Sequence, residues 1–535
     1  MRRSLRRLEI NARAFRALAA SGLLGPVPPR AVPGVVRALR RWGPAAGLAA
    51  QASARYGDRT ALIDDRGSLT YRDLDERSSA LAAAWRADGL GAGDGIGILC
   101  RNHRYFVDAM LATWKLGGRG VYLNTSFAGP QLCDVLRRED VEFVVCDEEH
   151  LPLLAGAAGV RRAVGWCASD ACDVPTVDAL IAAHEGAEPD PPEREGSVVM
   201  LTSGTTGTPK GAPRPAPRSI VTVGALLDRI PLRGDEPMLL GAPMFHAWGF
   251  THASLAIALG APLVITPRFD PLWAVRAAAS HRCTTLVLVP VMLKRILDLG
   301  DAELARHDLS AVRIIGTGGS ALTAECARRT SERFGDVLHN LYGSTEVSVA
   351  TIATPRDLRE APGCAGRPVL GTEVRLYDED GLRLHRPGEI GGIYVRGDLS
   401  FEGYTDGGTK REIDGLLSSG DLGYLDEEGR LFVVGRDDDM IVSGAENVFP
   451  QEVEELLLAH EAIADAAVVG VPDEEFGQRL RAYVVPAGEP LSADDVRDHV
   501  RAGLASFKVP RDVVFIDELP RNPTGKVLKR ELAGR

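Results

Sequence analysis

A chain of 535 residues is too long for one compact domain, so two or three are expected. Its 45% apolar and 25% charged residues make an ordinary globular balance, and a net charge of −11 argues against wholesale nucleic-acid binding. No apolar run reaches the ~18 residues a membrane-crossing helix needs, and the eight cysteines lack metal-ligand spacing, as expected of thiols in a reducing cytoplasm.

The first segment, up to Arg41, holds ten arginines and one acid, Glu9. Leu5, Leu8, Phe15 and Leu18 recur at mixed helical spacing. That fits a helix packed on the body with a solvated face, or one lying on an anionic membrane surface. Pro26, Pro28, Pro29 and Pro33 then break the chain, and a globular body begins near Trp42. Gly95–Cys100 predicts a buried strand, Tyr105–Leu116 a helix ending at Gly117-Gly118, and Val121-Tyr122-Leu123 the next strand. The rhythm returns at Thr285–Pro290, Val312–Ile315 and Val337–Leu341. Buried strands alternating with helices predict an α/β fold with parallel-rich sheets covered on both faces. From Gly388 the texture changes: GEIGGIYVRG and GRLFVVGR are Gly-punctuated and hairpin-like, a small β region. After the run Asp437-Asp438-Asp439 comes a small α+β unit, with helices at Pro450–His460 and Ser492–Leu504. Its strands are expected at Ala466–Val471, Arg481–Val485 and Val513–Ile516. The expected division is a basic extension over 1–45, a large N-terminal domain over 46–436 and a mobile C-terminal domain over 437–535.

The apolar run Val198–Leu201 leads into LTSGTTGTPKG. Backbone N–H groups of a Gly-rich turn converge on phosphate oxygens. Gly204, Gly207 and Gly211 permit close approach, Thr202, Ser203, Thr205, Thr206 and Thr208 add hydroxyls, and Lys210 adds a mobile cation. Only seven of the 62 basic residues are lysines, so a lysine in such a turn asks for a reason. An ammonium is a compact charge able to follow a moving phosphate. Lys526 has the same setting, after the turn Asn522-Pro523-Thr524-Gly525. Tyr342, in the loop that follows a strand, offers a ring for a purine, Asp421 between Gly420 and Leu422 reads by itself as a turn residue, and Glu346 offers the one carboxylate of its loop to Mg2+.

Five motifs occur in order: TSGTTGTPKG (Thr202–Gly211), YGSTE (Tyr342–Glu346), SGDLGYLDEEG (Ser419–Gly429), GRDDDMIVSGAENVFPQEVE (Gly435–Glu454) and NPTGKVLKREL (Asn522–Leu532). From about residue 50 onward the chain resembles the adenylate-forming superfamily, and most of all its bacterial medium- to long-chain fatty acyl-CoA synthetases. The resemblance implies ATP, Mg2+ and CoA as cofactors and cosubstrates. It implies adenine contact at Tyr342, an adenine-side loop at Gly318-Gly319-Ser320, and cofactor binding at Gly343, Ser344 and Thr345. It places Mg2+ at Glu346 with Thr202 as a second oxygen ligand, ribose at Asp421 and nucleotide contact at Arg436. Asp438 matches a hinge, Lys526 the lysine that reaches the carboxylate and α-phosphate, and Ser443-Gly444 the thiol path. His246 matches an aromatic-His motif beside the carboxylate end of the acyl site, with Trp248 and Phe250 lining or gating it; the catalytic set is Lys526, Glu346, Lys210 and His246.

The implied reaction activates a fatty carboxylate as acyl-AMP and passes the acyl group to CoA, with AMP and pyrophosphate released. Transfer to a carrier-protein thiol, an aryl or other acid, and a non-catalytic binding protein stay open as alternatives. The protein is expected in the cytoplasm, with peripheral membrane contact through the basic N-terminus, and is compatible with a homodimer. One departure stands out: Gly444-Ala445-Glu446-Asn447 replaces the family's Gly-Gly-Glu-Asn, which bears on the thioester-forming conformation.

Overall fold

Runs of Val, Ile and Leu bounded by glycine or proline become the buried strands of α/β sheets. The computed structural model describes residues 2–167, 172–201, 209–214, 219–397, 401, 403–443, 446–473, 477–488 and 490–534. The chain divides into two units: Met1–Gly316 with Asp398–Lys410, and Thr317–Gly397 with Arg411–Arg535.

In the first unit, Gly95–Leu99 is buried at every residue. It lies in a six-stranded sheet ordered Arg161–Val164, Val141–Cys146, Gly95–Leu99, Arg119–Tyr122, Ser197–Leu201, Gly211–Arg214. All neighbours are parallel except the last pair. The chain leaves Gly95–Leu99 for the strand on one side and then crosses to the strand on its other side. The carboxyl ends of Gly95–Leu99 and Val141–Cys146 therefore flank a topological switch point. His103 and Asp147, from the loops that follow these strands, meet there in a buried 2.7 Å hydrogen bond. A second set of strands runs Thr285–Leu288, Met238–Leu240, Leu263–Val264, Thr60–Asp64 in parallel, closed by antiparallel Gly67–Thr70.

The helix Arg104–Leu116 is buried at all thirteen positions, including its charged ones. That is affordable only because each charge finds a partner. Arg104 makes a fork to Asp64 at 2.5–3.1 Å, and Arg77 one to Asp108 at 2.7–3.2 Å. Lys115 donates to the Asp75 carboxylate at 2.5 Å, the Asp75 carbonyl at 2.8 Å and Ser79 at 2.7 Å. The apolar periodicity located this helix, but only the fold shows that its polar stripe is inside.

In the second unit, the strand expected at Val337–Leu341 is Leu338–Ser344. It pairs antiparallel with Ser348–Ala353, which pairs antiparallel with Arg367–Pro368. The small β region is a five-stranded antiparallel sheet of Glu373–Tyr377, Gly391–Arg396, Glu412–Ile413, Leu416–Leu425 and Leu431–Arg436. Asp437–Asp439 forms one 3-10 turn. Beyond it, Ile441–Ser443, Glu446–Val448, Ile463–Asp473, Gly477–Pro486 and Asp512–Phe515 form a sheet whose last pair alone is parallel. Helices Pro450–Leu458 and Ala493–Gly503 pack with it around Val453, Leu457, Val468, Ala482, Val496 and Val500. Ser492 caps the second helix in a reciprocal box with Asp495. This is the α/β fold with a large N-terminal domain of mixed sheets and a smaller C-terminal domain.

Candidate active site

The second unit joins three of the expected nucleotide residues. Tyr342 and Asp421 were expected in loops but lie within strands, Leu338–Ser344 and Leu416–Leu425. The antiparallel register sets Asp421 opposite Arg436. The Tyr342 hydroxyl donates to Asp421 Oδ2 at 2.6 Å, and an Arg436 guanidinium nitrogen stands 3.8 Å from Asp421 Oδ1. Burial, followed by the Asp421 carboxylate, raises the Tyr342 pKa well above its ordinary value, so the phenol stays protonated. Asp421 thus carries its negative charge between a phenol and a guanidinium.

Past Tyr342 the strand shifts register against its neighbour by a bulge. A Cβ at position 343 would stand 1.9 Å from the Ser348 carbonyl oxygen, so only glycine fits there. The Ser344 hydroxyl donates to Glu346 Oε2 at 2.8 Å and accepts from the Glu346 and Val347 N–H groups at 3.2 and 3.3 Å. Glu346 is buried, at 9% exposure. A carboxylate with hydroxyls of Ser344 and Thr345 beside it in sequence is a hard-oxygen donor set, which fits Mg2+. Gly318 ends the strand Ile314–Gly318, and Gly319 and Ser320 follow it.

In the first unit the phosphate-loop residues Thr202, Ser203, Gly204, Thr205, Thr206, Gly207 and Thr208 lie outside the described residues, and Lys210 lies within them. Lys210 forms an ion pair with Asp406 at 3.0 Å, its ammonium 5.1 Å from the Tyr404 ring centre. Thr405 ties the same segment to the strand after the loop. Its N–H donates to the Gly211 carbonyl at 2.9 Å, and its hydroxyl donates to the buried Glu139 carboxylate at 2.8 Å. A Cβ at 211 would stand 2.6 Å from that carboxylate, which is why glycine follows the lysine. Arg138 also donates to the Pro209 carbonyl. The sequence reading missed Glu139, Tyr404, Thr405 and Asp406. In GYTDGGTK the aspartate before two glycines reads as a turn residue, and nothing local says that it faces a lysine.

His246 caps the helix Ala247–Leu259 through its backbone, not its side chain. Its buried Nε2 has no hydrogen-bond partner among the described residues, and burial pushes its pKa down to about 4. The ring is therefore neutral near pH 7 and supplies a polar nitrogen without a charge. Trp248 is buried, and its indole N–H donates to the Leu288 carbonyl at 2.9 Å. Phe250 is half-buried and meets Trp114 and Tyr122 edge-on, with centroids 5.8 and 5.0 Å away.

His252, one turn on from Trp248, is 1% exposed, its Nδ1 2.9 Å from the Trp248 carbonyl, and burial pushes its pKa down to about 4. The unfolded chain takes up this proton near pH 6.5, well before the folded one does. Stability is therefore lost as pH falls from 6.5 toward 4, by about 2 kcal/mol between pH 7.5 and 5 from this residue alone. Urea midpoints at the two pH values should separate less in His252→Gln than in the parent; equal separations would remove His252 from the account.

Lys526 follows a turn tied at several points. The Asn522 side chain accepts from the Thr524 hydroxyl at 2.6 Å and from the Lys526 N–H at 2.9 Å, and the Asn522 N–H donates to the Lys526 carbonyl at 2.9 Å. Arg521 anchors the turn by a two-point pair with Asp465 at 2.8 and 2.9 Å. Asp438 sits in the Asp437–Asp439 turn and Ser443 ends the strand Ile441–Ser443. Gly444 and Ala445 lie outside the described residues.

The second unit sets a carboxylate between a phenol and a guanidinium, and comparison with known proteins fixes the family. The AMP-binding enzyme model matches residues 48–405, and the AMP-binding enzyme C-terminal domain model matches 452–526. The chain belongs to the AMP-binding enzyme family. It is 33% identical to a 3-[7a-methyl-dioxo-octahydro-indenyl]propanoyl:CoA ligase of Rhodococcus jostii over 90% of this chain and 96% of that one. It is 32% identical to a feruloyl-CoA synthase of Amycolatopsis over 89% of this chain and 96% of the synthase. Among solved structures, the o-succinylbenzoate CoA synthetase of Bacillus subtilis, in complex with its acyl-adenylate, matches with a TM-score of 0.79. The two are 28% identical, over 91% of this chain and 97% of that one. These relatives are CoA ligases of diverse acids, a wider group than the fatty acyl-CoA synthetases expected from the motifs.

Proposed function

We propose that this AMP-forming CoA ligase takes an apolar carboxylic acid, a fatty acid or one that carries a hydrocarbon ring, and uses ATP, Mg2+ and CoA. The observation that carries the reading is the Tyr342–Asp421–Arg436 contact, where one carboxylate lies ready for two ribose hydroxyls and a guanidinium for phosphate charge. Support for an apolar acid comes from the half-buried Phe250 against Trp114 and Tyr122, and from a helix, Ala247–Leu259, that carries no charged residue.

A carboxylate is a poor acyl donor because its oxygen leaves badly. Its attack on the α-phosphorus of ATP forms the mixed anhydride and expels pyrophosphate. The thiol of CoA then attacks the acyl carbon, and AMP leaves. The first step brings two anions together, so its barrier is largely electrostatic. Lys210 and the Thr202–Thr208 hydroxyls hold the departing phosphates, and Lys526 neutralises the charge between carboxylate and α-phosphate. Glu346 would hold Mg2+, which when bound would supply Lewis-acid neutralisation of phosphate charge. His246 lies at the carboxylate end of the acyl site, where a neutral ring orients the anion without trapping it. Asp406 competes with phosphate for Lys210 and parks the ammonium until a nucleotide arrives. For the second step the C-terminal domain turns about Asp438, withdraws Lys526 and opens the path past Ser443 and Gly444. The enzyme works in the cytoplasm, and its basic N-terminal segment faces lipid.

Pyrophosphate release from a panel of acids, with and without CoA, tests the reading. Octanoate, palmitate, cinnamate and cyclohexanepropanoate should exceed malonate, glycine and glutamate by at least about tenfold in kcat/KM, with CoA required for AMP release. A preference for a charged or amino acid overturns the assignment of the acid, and AMP release that needs a carrier protein instead of CoA overturns that of the acceptor.

A further inference from the structure

The basic N-terminal segment lies before residue 48, where the family match begins, and no catalytic role absorbs it. Its first helix, Arg2–Ala20, packs on the helix Ile220–Arg229. Ala14 and Leu18 are buried, and Arg13 pairs with Asp228 at 2.8 Å. This contact uses one face only. Leu8, Ala12, Phe15 and Ala19, spaced four, three and four apart, form a second stripe that is exposed. Leu8 is 65% and Phe15 56% exposed. The next helix, Val32–Ala46, repeats the device: Ala38 is buried while Val32, Val36 and Leu39, four and three apart, are exposed. Leu24, between the helices, is exposed as well. Of the eleven large apolar side chains exposed among the described residues, six thus fall between Leu8 and Leu39. Such a concentration marks an interaction surface.

Its charge says what it meets. Arg7, Arg16, Arg30, Arg37 and Arg40 are exposed within or beside these stripes. Up to Arg41 the segment carries ten arginines against one acid, in a chain whose net charge is −11. A second copy docked through the same face would set arginine against arginine. A sheet of anionic headgroups offers the opposite charge, with hydrocarbon at the depth the leucines and phenylalanine reach. Arginine also suits phosphate, because its planar fork donates two hydrogen bonds. No described helix is long and apolar enough to cross a membrane, so the association is with the surface.

We propose that the helices Arg2–Ala20 and Val32–Ala46 form an interfacial anchor that docks the protein on anionic phospholipid through Leu8, Phe15, Val32, Val36 and Leu39, with the surrounding arginines on the headgroups. The anchor is independent of which acid the enzyme takes. The test is cosedimentation of the full chain with vesicles of equimolar phosphatidylglycerol and phosphatidylcholine, and with phosphatidylcholine vesicles alone, while light scattering follows the oligomeric state. The protein should partition onto the anionic vesicles, bind the neutral ones weakly and be released by high salt. The double variant Leu8→Ser/Phe15→Ser should lower partitioning at least about tenfold, and Arg16→Gln/Arg37→Gln/Arg40→Gln should lower it and flatten its salt dependence. All five positions are exposed, so fold and pyrophosphate exchange in solution should be unchanged. Absence of binding to anionic vesicles, equal binding to neutral ones, or unaltered partitioning of the apolar variant would overturn the anchor. So would a dimer that the same apolar substitutions dissociate, which would assign the face to a second copy.

Discussion

Lys526→Ala should abolish carboxylate-dependent pyrophosphate exchange and leave thioester formation from supplied acyl-AMP nearly intact. The expected loss in the first half-reaction is about 10²–10³-fold, the typical effect of removing one fixed charge-stabilising group. The asymmetry follows from what the ammonium does. In the adenylation step proposed above it lies between a carboxylate and a triphosphate and lowers the cost of bringing two anions together. In thioester formation pyrophosphate has gone, the nucleophile is a thiol, and on the proposed mechanism the lysine is withdrawn. The turn that presents it is held by Asn522, which binds the Lys526 backbone, and by the Arg521–Asp465 pair. Truncation should therefore leave the turn in place. Lys526→Arg keeps the charge but exchanges a compact ammonium for a wide planar group, and should recover only part of the rate. Equal loss in both half-reactions would show that the residue supports the nucleotide site as a whole.

Much of the fold was legible in the sequence because burial leaves a periodic record. Gly95–Cys100, Tyr105–Leu116 and Pro450–His460 were each placed within two residues of Gly95–Leu99, Arg104–Leu116 and Pro450–Leu458. Turn chemistry was equally plain at Asn522–Gly525, where side chain and backbone close the loop by themselves. What failed was local context. Tyr342 and Asp421 read as loop residues because tyrosine-glycine-serine and glycine-aspartate-leucine resemble turns, yet cross-strand pairing holds both in sheets. A register between Asp421 and Arg436, fifteen positions apart, cannot be read from either end alone. Asp406, which pairs with Lys210, was invisible for a similar reason: tertiary folding brings it to the lysine, and it belongs to no motif. The N-terminal segment shows the converse. Its sequence fitted a packed helix, the preferred reading, or a membrane-facing one, and in the structure small buried residues serve one face and large exposed ones the other.

Asp421→Ala should depress both half-reactions together, by at least about 10²-fold in kcat/KM. The nucleotide is present in each, as ATP in the first and acyl-AMP in the second, so a ribose-binding carboxylate cannot be spared in either. The same change leaves the Tyr342 hydroxyl buried without its acceptor, at a cost of about 1–3 kcal/mol in stability. Structural damage and lost binding can be separated by adding Tyr342→Phe. The double variant removes the stranded hydroxyl and should regain most of the stability while staying as inactive as Asp421→Ala. Asp421→Asn retains an acceptor for Tyr342 but loses the charge beside Arg436 and one acceptor for ribose; it should fold like the parent and lose about tenfold in each half-reaction. Denaturation midpoints, nucleotide affinity and the two half-reactions, measured on all four proteins, form a closed set. If activity returned with stability in the double variant, Asp421 would be a structural partner of Tyr342 and the nucleotide site would have to be sought elsewhere. If only the adenylating step fell, the carboxylate would act on the triphosphate and not on the sugar.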